Sequence, residues 1–161
     1  MIEGRFNLVD HHGVAVTEES YRGQYMLVFF GFTHCRVVCP RNLARTSQAL
    51  ELLGSLSGRI QPLYISVDPE RDSPEVMKSF LENQYPFFTG LTGTREQVDA
   101  AKKAFHVFAE TRVDEEDPDG YAVPHTAFTY VLNPDGGYAT HLPDHVDAET
   151  MANKLQQILT R

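Results

Sequence analysis

The feature that most limits the fold is the abrupt change from an apolar run to a helical pattern between residues 25 and 56. The run YMLVFFGF (residues 25–32) has the aliphatic and aromatic content of a buried strand. The segment PRNLARTSQALELLGSL (residues 40–56) then places Leu43, Leu50, Leu53 and Leu56 at helical spacings, with Pro40 at or near the first helical position. A buried strand that leads directly into a helix is typical of α/β proteins.

The rest of the chain repeats this alternation. Strands are predicted at RIQPLYISVD (59–68), TAFTYVLN (126–133) and YATHL (138–142), helices at DSPEVMKSFLENQ (72–84), TREQVDAAKKAFHVF (94–108) and DAETMANKLQQILT (147–160), and a long acidic loop at RVDEEDPDG (112–120). Ser73 is predicted to cap the first of these helices, and Thr94 with Gln97 to form a capping box at the second. This order predicts an α/β protein with a thioredoxin-like fold, in which a central mixed sheet carries helices on both faces.

Charge and the first residues limit the partners and the domain. The chain of 161 residues has a formal net charge of −8, which repels nucleic acid and anionic membrane surfaces. Residues 2–5 (IEGR) have the sequence of a common engineered protease-cleavage site, so residues 1–5 are expected to be such a remnant or the remainder of a trimmed anchor. We therefore expect a single thioredoxin-like domain over residues 6–161.

Both cysteines of the chain, Cys35 and Cys39, stand in the box C-x-x-x-C-P at the junction between the first strand and its helix. Chemistry in open α/β sheets lies at the carboxyl ends of strands, and a helix N-terminus favours thiolates. Two buried structural cysteines are the weaker alternative, so the pair predicts a redox or metal function. Soft thiolates select soft metals, and two thiolates with one imidazole would suit Cu(I).

His125 is the best candidate for an imidazole, because it immediately precedes the predicted strand at 126–133. In a thioredoxin-like sheet the loop that enters this strand lies against the cysteine-bearing turn, although a histidine at a strand start can also be satisfied by backbone hydrogen bonds. Of the remaining histidines, His11 and His12 are predicted to be solvated, and His106 to be at the surface or half-buried. His34 is predicted to form a local hydrogen bond or to tune the neighbouring thiolate. The spacing of His141 and His145 is only weak evidence for a metal site.

Four motifs, FFGFTHCRVVCP, ISVDPERDSP, LTGTREQVDAAKKAF and VPHTAFTYVLNPDG, resemble the Sco/SenC family of thioredoxin-fold copper proteins. That family serves assembly of the binuclear copper centre of cytochrome c oxidase. The resemblance implies that Cys35 and Cys39 are thiolate ligands, that His125 is the imidazole ligand, and that Asp68 is an acidic residue associated with the metal and redox site.

This sequence departs from the family pattern at two places. Pro124 precedes the implied ligand His125 where the family usually has Asp, which weakens control of the imidazole while stiffening its loop. Arg36 and Val37 stand where Pro-Asp is more usual, and the Arg36 cation favours the thiolate form of the neighbouring cysteines. Neither change removes an implied ligand.

The resemblance implies a copper metallochaperone that holds Cu(I) or Cu(II) and passes it to a cytochrome c oxidase copper-site subunit or another copper chaperone. Oxidation of the dithiol to a disulfide would switch binding off. The implied location is the bacterial periplasm, tethered through an N-terminal anchor outside these residues, or the mitochondrial intermembrane space. The alternatives are a thiol–disulfide oxidoreductase that keeps partner cysteines reduced and, with less support, a peroxidase-like enzyme.

Overall fold

The computed structural model describes residues 3–33, 38–107, 112–113, 121–122, 128–143 and 146–160, without the side chains of residues 38–39, 112–113 and 121–122. The strands in these ranges are β1 (Asn7–Asp10), β2 (Ala15–Thr17), β3 (Tyr25–Gly31), β4 (Ile60–Ser66), β5 (Thr89–Thr92), β6 (Arg112–Val113), β7 (Tyr121–Ala122), β8 (Thr129–Leu132) and β9 (Tyr138–Leu142). The α-helices are α1 (Val38–Leu53), α2 (Pro74–Gln84), α3 (Arg95–Ala104) and α4 (Ala148–Leu159). Short 3₁₀ turns occupy Glu18–Tyr21 and Gly54–Arg59.

The main sheet has the strand order β2-β1-β5-β4-β3-β8-β9. Its centre, β5-β4-β3, is parallel, whereas β1, β2, β8 and β9 pair antiparallel with their neighbours. The predicted mixed sheet is therefore confirmed. β6 and β7 form a separate two-stranded ribbon, so the prediction of a loop from residue 112 onward was wrong at its first two residues.

Alternate residues of β3 pack on opposite faces of the sheet, as the two-residue period of a strand requires. Met26, Val28 and Phe30 belong to an apolar cluster that includes buried residues of α3. Leu27 joins buried residues of α1 and α4, and Phe29 joins those of α1 and α2. Helices therefore cover both faces, as predicted, and β3 is buried from both sides.

Local signals set the helix starts. The Ser73 side chain accepts a hydrogen bond from the Val76 N–H, with Pro74 as the first helical residue, and Thr94 and Gln97 form the predicted capping box. Helix α1 begins at Val38, two residues earlier than predicted. Proline is tolerated inside a first turn because backbone N–H groups there have no intrahelical acceptor. No helix in the described ranges combines the length and the hydropathy that a membrane-spanning segment needs.

Candidate metal centre and its supporting turn

The predicted ligands fall largely outside the described residues. Cys35 and His125 are not among them, and Cys39 is described only as the second residue of α1. Its position in the first helical turn agrees with the sequence prediction. The thiolate–imidazole set therefore stays a prediction, and the structure describes the segments that flank it.

The flanking segments meet at one end of the β3/β8 pair. Phe29 lies opposite Thr129 in antiparallel register. The chain consequently leaves β3 toward Cys35 at the same end at which it enters β8 after His125, and α1 starts three residues beyond Cys35. This arrangement is independent of the positions of the ligand side chains themselves.

A buried hydrogen bond joins α1 to the start of β8. The Asn42 Nδ2 donates to the Thr129 Oγ1 at 3.1 Å, and both residues are buried. Asn42 follows Cys39 by three residues, so the two positions lie on the same side of the helix. The Thr46 hydroxyl extends this hydrogen-bonded chain by donating to the Asn42 Oδ1 at 3.4 Å.

The implied accessory residue, Asp68, lies in the turn that follows β4. Ser66, the last residue of β4, pairs with Gly31, so this turn stands beside the point where the chain leaves β3 for Cys35. The Asp68 side chain is fully buried and forms an ion pair with Arg71. Its backbone N–H donates to the Ser66 Oγ at 3.0 Å. Asp68 is thus a paired carboxylate inside a fixed turn.

Asp72, the second aspartate of the D-P-E-R-D box, holds this turn to the start of the cysteine segment. The Thr33 N–H donates to its Oδ2 at 3.0 Å, the Thr33 Oγ1 donates to its Oδ1 at 2.5 Å, and the Ser66 Oγ donates to its Oδ2 at 2.7 Å. The Thr92 hydroxyl at the end of β5 donates to its main-chain carbonyl at 2.7 Å. Burial raises the pKa of the Asp72 carboxyl, and the hydrogen bonds from Thr33 and Ser66 oppose that rise.

A surface ion pair ties the same turn to α3. The Arg95 guanidinium donates to both oxygens of Glu70, with Nη2 at 2.7 Å and 2.8 Å, and pairs with Asp99 one helical turn along. It also donates to the Val67 carbonyl at 3.4 Å. The turn is therefore held from the sheet side by Asp72 and from the helix side by Arg95.

Sequence reasoning missed Thr33, Ser66 and Asp72. Two signals were present: a second aspartate in the D-P-E-R-D box, and hydroxyl side chains at or just beyond the ends of two apolar strands. A buried polar side chain at such a position needs a partner. The identity of that partner depends on the strand order, which the sequence does not display.

A second group of potential ligands lies elsewhere. His11, His12 and Glu82 offer donor atoms within 4.8 Å of one another, the one such trio of His, Cys, Asp or Glu among the described residues. The prediction that His11 is solvated was wrong, since it is 8% exposed and its Nδ1 accepts the Gly90 N–H at 2.9 Å. Burial lowers the pKa of His11. In the neutral ring Nε2 therefore carries the proton, and no lone pair points from Nε2 toward Glu82.

The geometry above defines the class of the protein, and the comparisons agree with it. A seven-stranded mixed sheet covered on both faces, with a cysteine in the first turn of α1, is a thioredoxin-like fold. The Arabidopsis thaliana ScoI structure with copper bound superposes with a TM-score of 0.92 at 28% identity, covering 100% of both chains. The Bradyrhizobium japonicum ScoI structure with copper bound has a TM-score of 0.87 at 36% identity, covering 98% of this chain and 99% of that one.

The family follows from the sequence matches. The model of the SCO1/SenC family matches residues 1–160. The human mitochondrial SCO1 homolog is 39% identical over 140 residues, 86% of this chain and 46% of its own length, and the Rickettsia felis SCO2-like protein is 36% identical over 141 residues, 87% of this chain and 68% of its own length. The chain belongs to the SCO1/SenC family, as its motifs predicted. It spans about half the length of the curated human relative.

Proposed function

We propose that this protein is a copper metallochaperone that binds copper through Cys35, Cys39 and His125 and delivers it for assembly of the binuclear copper centre of cytochrome c oxidase. Membership of the SCO1/SenC family supports the proposal, as do the plant and bacterial ScoI structures solved with copper bound. The donor set fits the ion, since thiolates and imidazole are ligands that copper accepts.

The observation that carries the proposal is the register of β3 and β8. Phe29 lies opposite Thr129, so the segment bearing Cys35 and the segment bearing His125 flank the same end of the sheet. The buried hydrogen bond from Asn42 to Thr129 fixes α1, which contains Cys39, against the same strand. Without these contacts, loops alone would have to bring His125 to the two cysteines, which lie far from it in sequence.

Binding and release would depend on the charge state of the thiols. Copper displaces the protons of Cys35 and Cys39 as it binds, and both the start of α1 and the Arg36 cation favour the thiolate forms. A partner with its own cysteine pair could then take the ion by stepwise ligand exchange, so that copper is never free. Exchange with a disulfide of another molecule would pass two electrons to that disulfide, reduce it to a dithiol, join the sulfurs of Cys35 and Cys39 and remove both thiolate ligands.

Partner and compartment are part of the same proposal. The partner would be the oxidase subunit that carries the copper site or another copper chaperone, not nucleic acid, which a net charge of −8 repels. The compartment would be the periplasm or the mitochondrial intermembrane space. The human relative is named a mitochondrial protein, which is compatible with the second location.

The test is an anaerobic titration of the reduced full chain with Cu(I) against a competing chelator. We expect one equivalent to bind tightly to the parent and clearly more weakly to His125→Ala and to Cys35→Ser, Cys39→Ser. His141→Ala is the matched control, because His141 is exposed and its Nδ1 is hydrogen-bonded to the Tyr138 hydroxyl. If His125→Ala binds as tightly as the parent, the thiol–disulfide oxidoreductase becomes the better explanation of the dithiol.

A further inference from the structure

We propose that Asp72 is a positioning residue for the copper site: its carboxylate fixes the chain at Thr33, and through Thr33 it sets the geometry of the segment that carries Cys35. The inference rests on the proposed function for its copper readout. It goes beyond the predicted ligand set, in which Asp72 has no part.

Two of the three hydrogen bonds to the Asp72 carboxylate come from Thr33, which lies just after the end of β3. Thr33 lies two residues before Cys35 and gives both its backbone N–H and its hydroxyl to the Asp72 carboxylate, at 3.0 Å and 2.5 Å. Two bonds from one residue to one carboxylate fix an orientation as well as a position. The loop that follows therefore starts from a defined direction.

The same carboxylate also controls how the turn at residues 68–72 sits on β4. The Ser66 hydroxyl donates to the Asp72 Oδ2 at 2.7 Å and accepts the Asp68 N–H at 3.0 Å. Asp68 and Thr33 are consequently linked through two buried residues, Ser66 and Asp72. A shift at Asp72 would move the implied accessory residue and the start of the cysteine segment together.

The ionised carboxylate accepts all three of these hydrogen bonds. Asp72 offers two acceptor oxygens and no donor when ionised, whereas asparagine would present an NH₂ group to one side. Asp72→Asn keeps the size of the side chain but removes its charge, and its NH₂ group either faces the Thr33 N–H or forces the Thr33 hydroxyl to turn from donor to acceptor. The hydrogen bonds that remain are no longer charge-assisted, so the variant holds Thr33 more weakly.

The main rival is a purely structural brace, and the fold provides a control for it. The Thr92 hydroxyl binds the Asp72 main-chain carbonyl at 2.7 Å and is itself buried. Thr92→Val removes a buried hydrogen bond from the same turn while leaving the hydrogen bonds from Thr33 to Asp72 intact. Thr33→Val does the reverse, since it removes the hydroxyl donor to Asp72 and keeps the backbone one.

The experiment compares Asp72→Asn, Thr33→Val and Thr92→Val in the full chain. Each is measured for its Cu(I) affinity under chelator competition, the thiolate-to-Cu(II) absorption band, and the urea midpoint of unfolding. We expect Asp72→Asn to weaken Cu(I) binding by about 10- to 100-fold, the usual effect of losing a residue that orients a metal ligand, and to shift the absorption band. Thr33→Val should change both in the same direction and by less. Thr92→Val should lower the urea midpoint but leave the affinity and the band at their parent values.

The double variant Thr33→Val, Asp72→Asn tests whether the effect passes through this pair of residues. If it does, the double variant binds copper about as weakly as Asp72→Asn alone, since both changes break one interaction. Losses that multiply would overturn the proposal. So would a Thr92→Val protein that loses as much affinity as Asp72→Asn for the same change in urea midpoint.

A copper-free readout separates this proposal from the proposed function. The equilibrium of the Cys35–Cys39 dithiol with glutathione depends on the geometry of its loop whether or not the protein carries copper. We expect Asp72→Asn to change that equilibrium constant by about tenfold and Thr92→Val to leave it unchanged. If the parent fails to bind copper but this difference is found, the proposed function fails and the positioning role stands. If Asp72→Asn leaves both the equilibrium and the copper affinity unchanged, the positioning role is wrong.

Discussion

Polar contacts are made close to both ends of β5, and their surroundings differ in the chemistry they allow. Near the start of β5, His11 accepts the Gly90 N–H, and His12 and Glu82 lie close by. At its end, Thr92 binds the carbonyl of Asp72. By residue type the first region resembles a metal site more closely than the second does.

The hydrogen-bond roles reverse that ranking. A histidine that ligates a metal usually donates from its other ring nitrogen to a carboxylate or carbonyl, but the Nδ1 of His11 accepts from Gly90. Its ring is therefore committed to the sheet. Asp72 binds no metal in our proposal, yet it orients the segment in which Cys35 stands. The comparison shows that a cluster of donor residue types indicates a metal site only when their lone pairs are available.

The largest expected difference between the two regions is in copper affinity. Cys35→Ser, Cys39→Ser should lose more than about 100-fold in Cu(I) affinity, because two soft ligands are replaced by poor ones. His12→Ala, Glu82→Gln removes the two exposed members of the second cluster and should leave the affinity within about twofold of the parent. Chelator competition measures both. A comparable loss in the second variant would mean that copper binds beside β5.

The next difference concerns stability. His11→Ala should lower the free energy of unfolding by about 1–3 kcal/mol, because the buried Gly90 N–H loses its acceptor. His12→Ala, one residue along and exposed, should change it by less than about 0.5 kcal/mol. Urea denaturation followed by circular dichroism measures both values. Equal effects of the two substitutions would show that the His11–Gly90 bond contributes little.

The two buried groups should respond to pH with opposite signs. Burial lowers the pKa of His11, so its contribution to stability is present above the ordinary histidine value of 6.5 and is lost as pH falls through the lowered pKa. Burial raises the pKa of Asp72, so its contribution is full below 3.8 and is lost as pH rises through the raised pKa. His11→Gln should therefore flatten the loss of stability below pH 6.5, and Asp72→Asn should flatten the change above pH 3.8. Urea midpoints of unfolding measured across pH 3.5–7.5 check both expectations. A variant whose midpoint changes with pH as steeply as that of the parent would contradict the contribution assigned to that residue.

The smallest effect is expected at His106, a non-glycine residue with a positive φ angle. Its φ of 57° is left-handed, and it lies two residues after the end of α3, where the Val107 N–H donates to the Lys102 carbonyl at 2.8 Å. Glycine adopts this conformation without strain, so His106→Gly should raise the free energy of unfolding by about 1 kcal/mol. His106→Ala is the control, since it removes the ring and keeps the strain. A gain in both would assign the effect to the ring.

The predictable parts of the fold were those with local signals. The apolar run of β3 and the caps at Ser73 and Thr94 are readable because each depends on neighbouring residues. Strand β5 was missed because four residues with a central glycine show little pattern. Gly90 is explained only by packing, since a Cβ there would lie 2.7 Å from the Leu81 Cδ1 on α2.

The candidate site divides in the same way. Cys35, Cys39 and Asp68 could be named from motifs, because motifs are contiguous in sequence. Thr33 and Asp72 could not be paired, because 39 residues separate them and only the parallel register of β3 and β4 brings them together. Residue types alone also misjudged His11, whose burial depends on β1 pairing with β5.

The bond from Asn42 to Thr129 spans 87 residues, and this separation affects the order in which the protein can mature. Interactions between residues distant in sequence form late, because a long loop must close before they can form. During synthesis both cysteines emerge from the ribosome well before the hydroxyl of Thr129. A nascent chain that ends before β8 therefore already carries both thiols while α1 lacks its hydrogen bond to that strand. Oxidants or metal ions that reach the chain at that stage would meet the two thiols before they could meet a finished site.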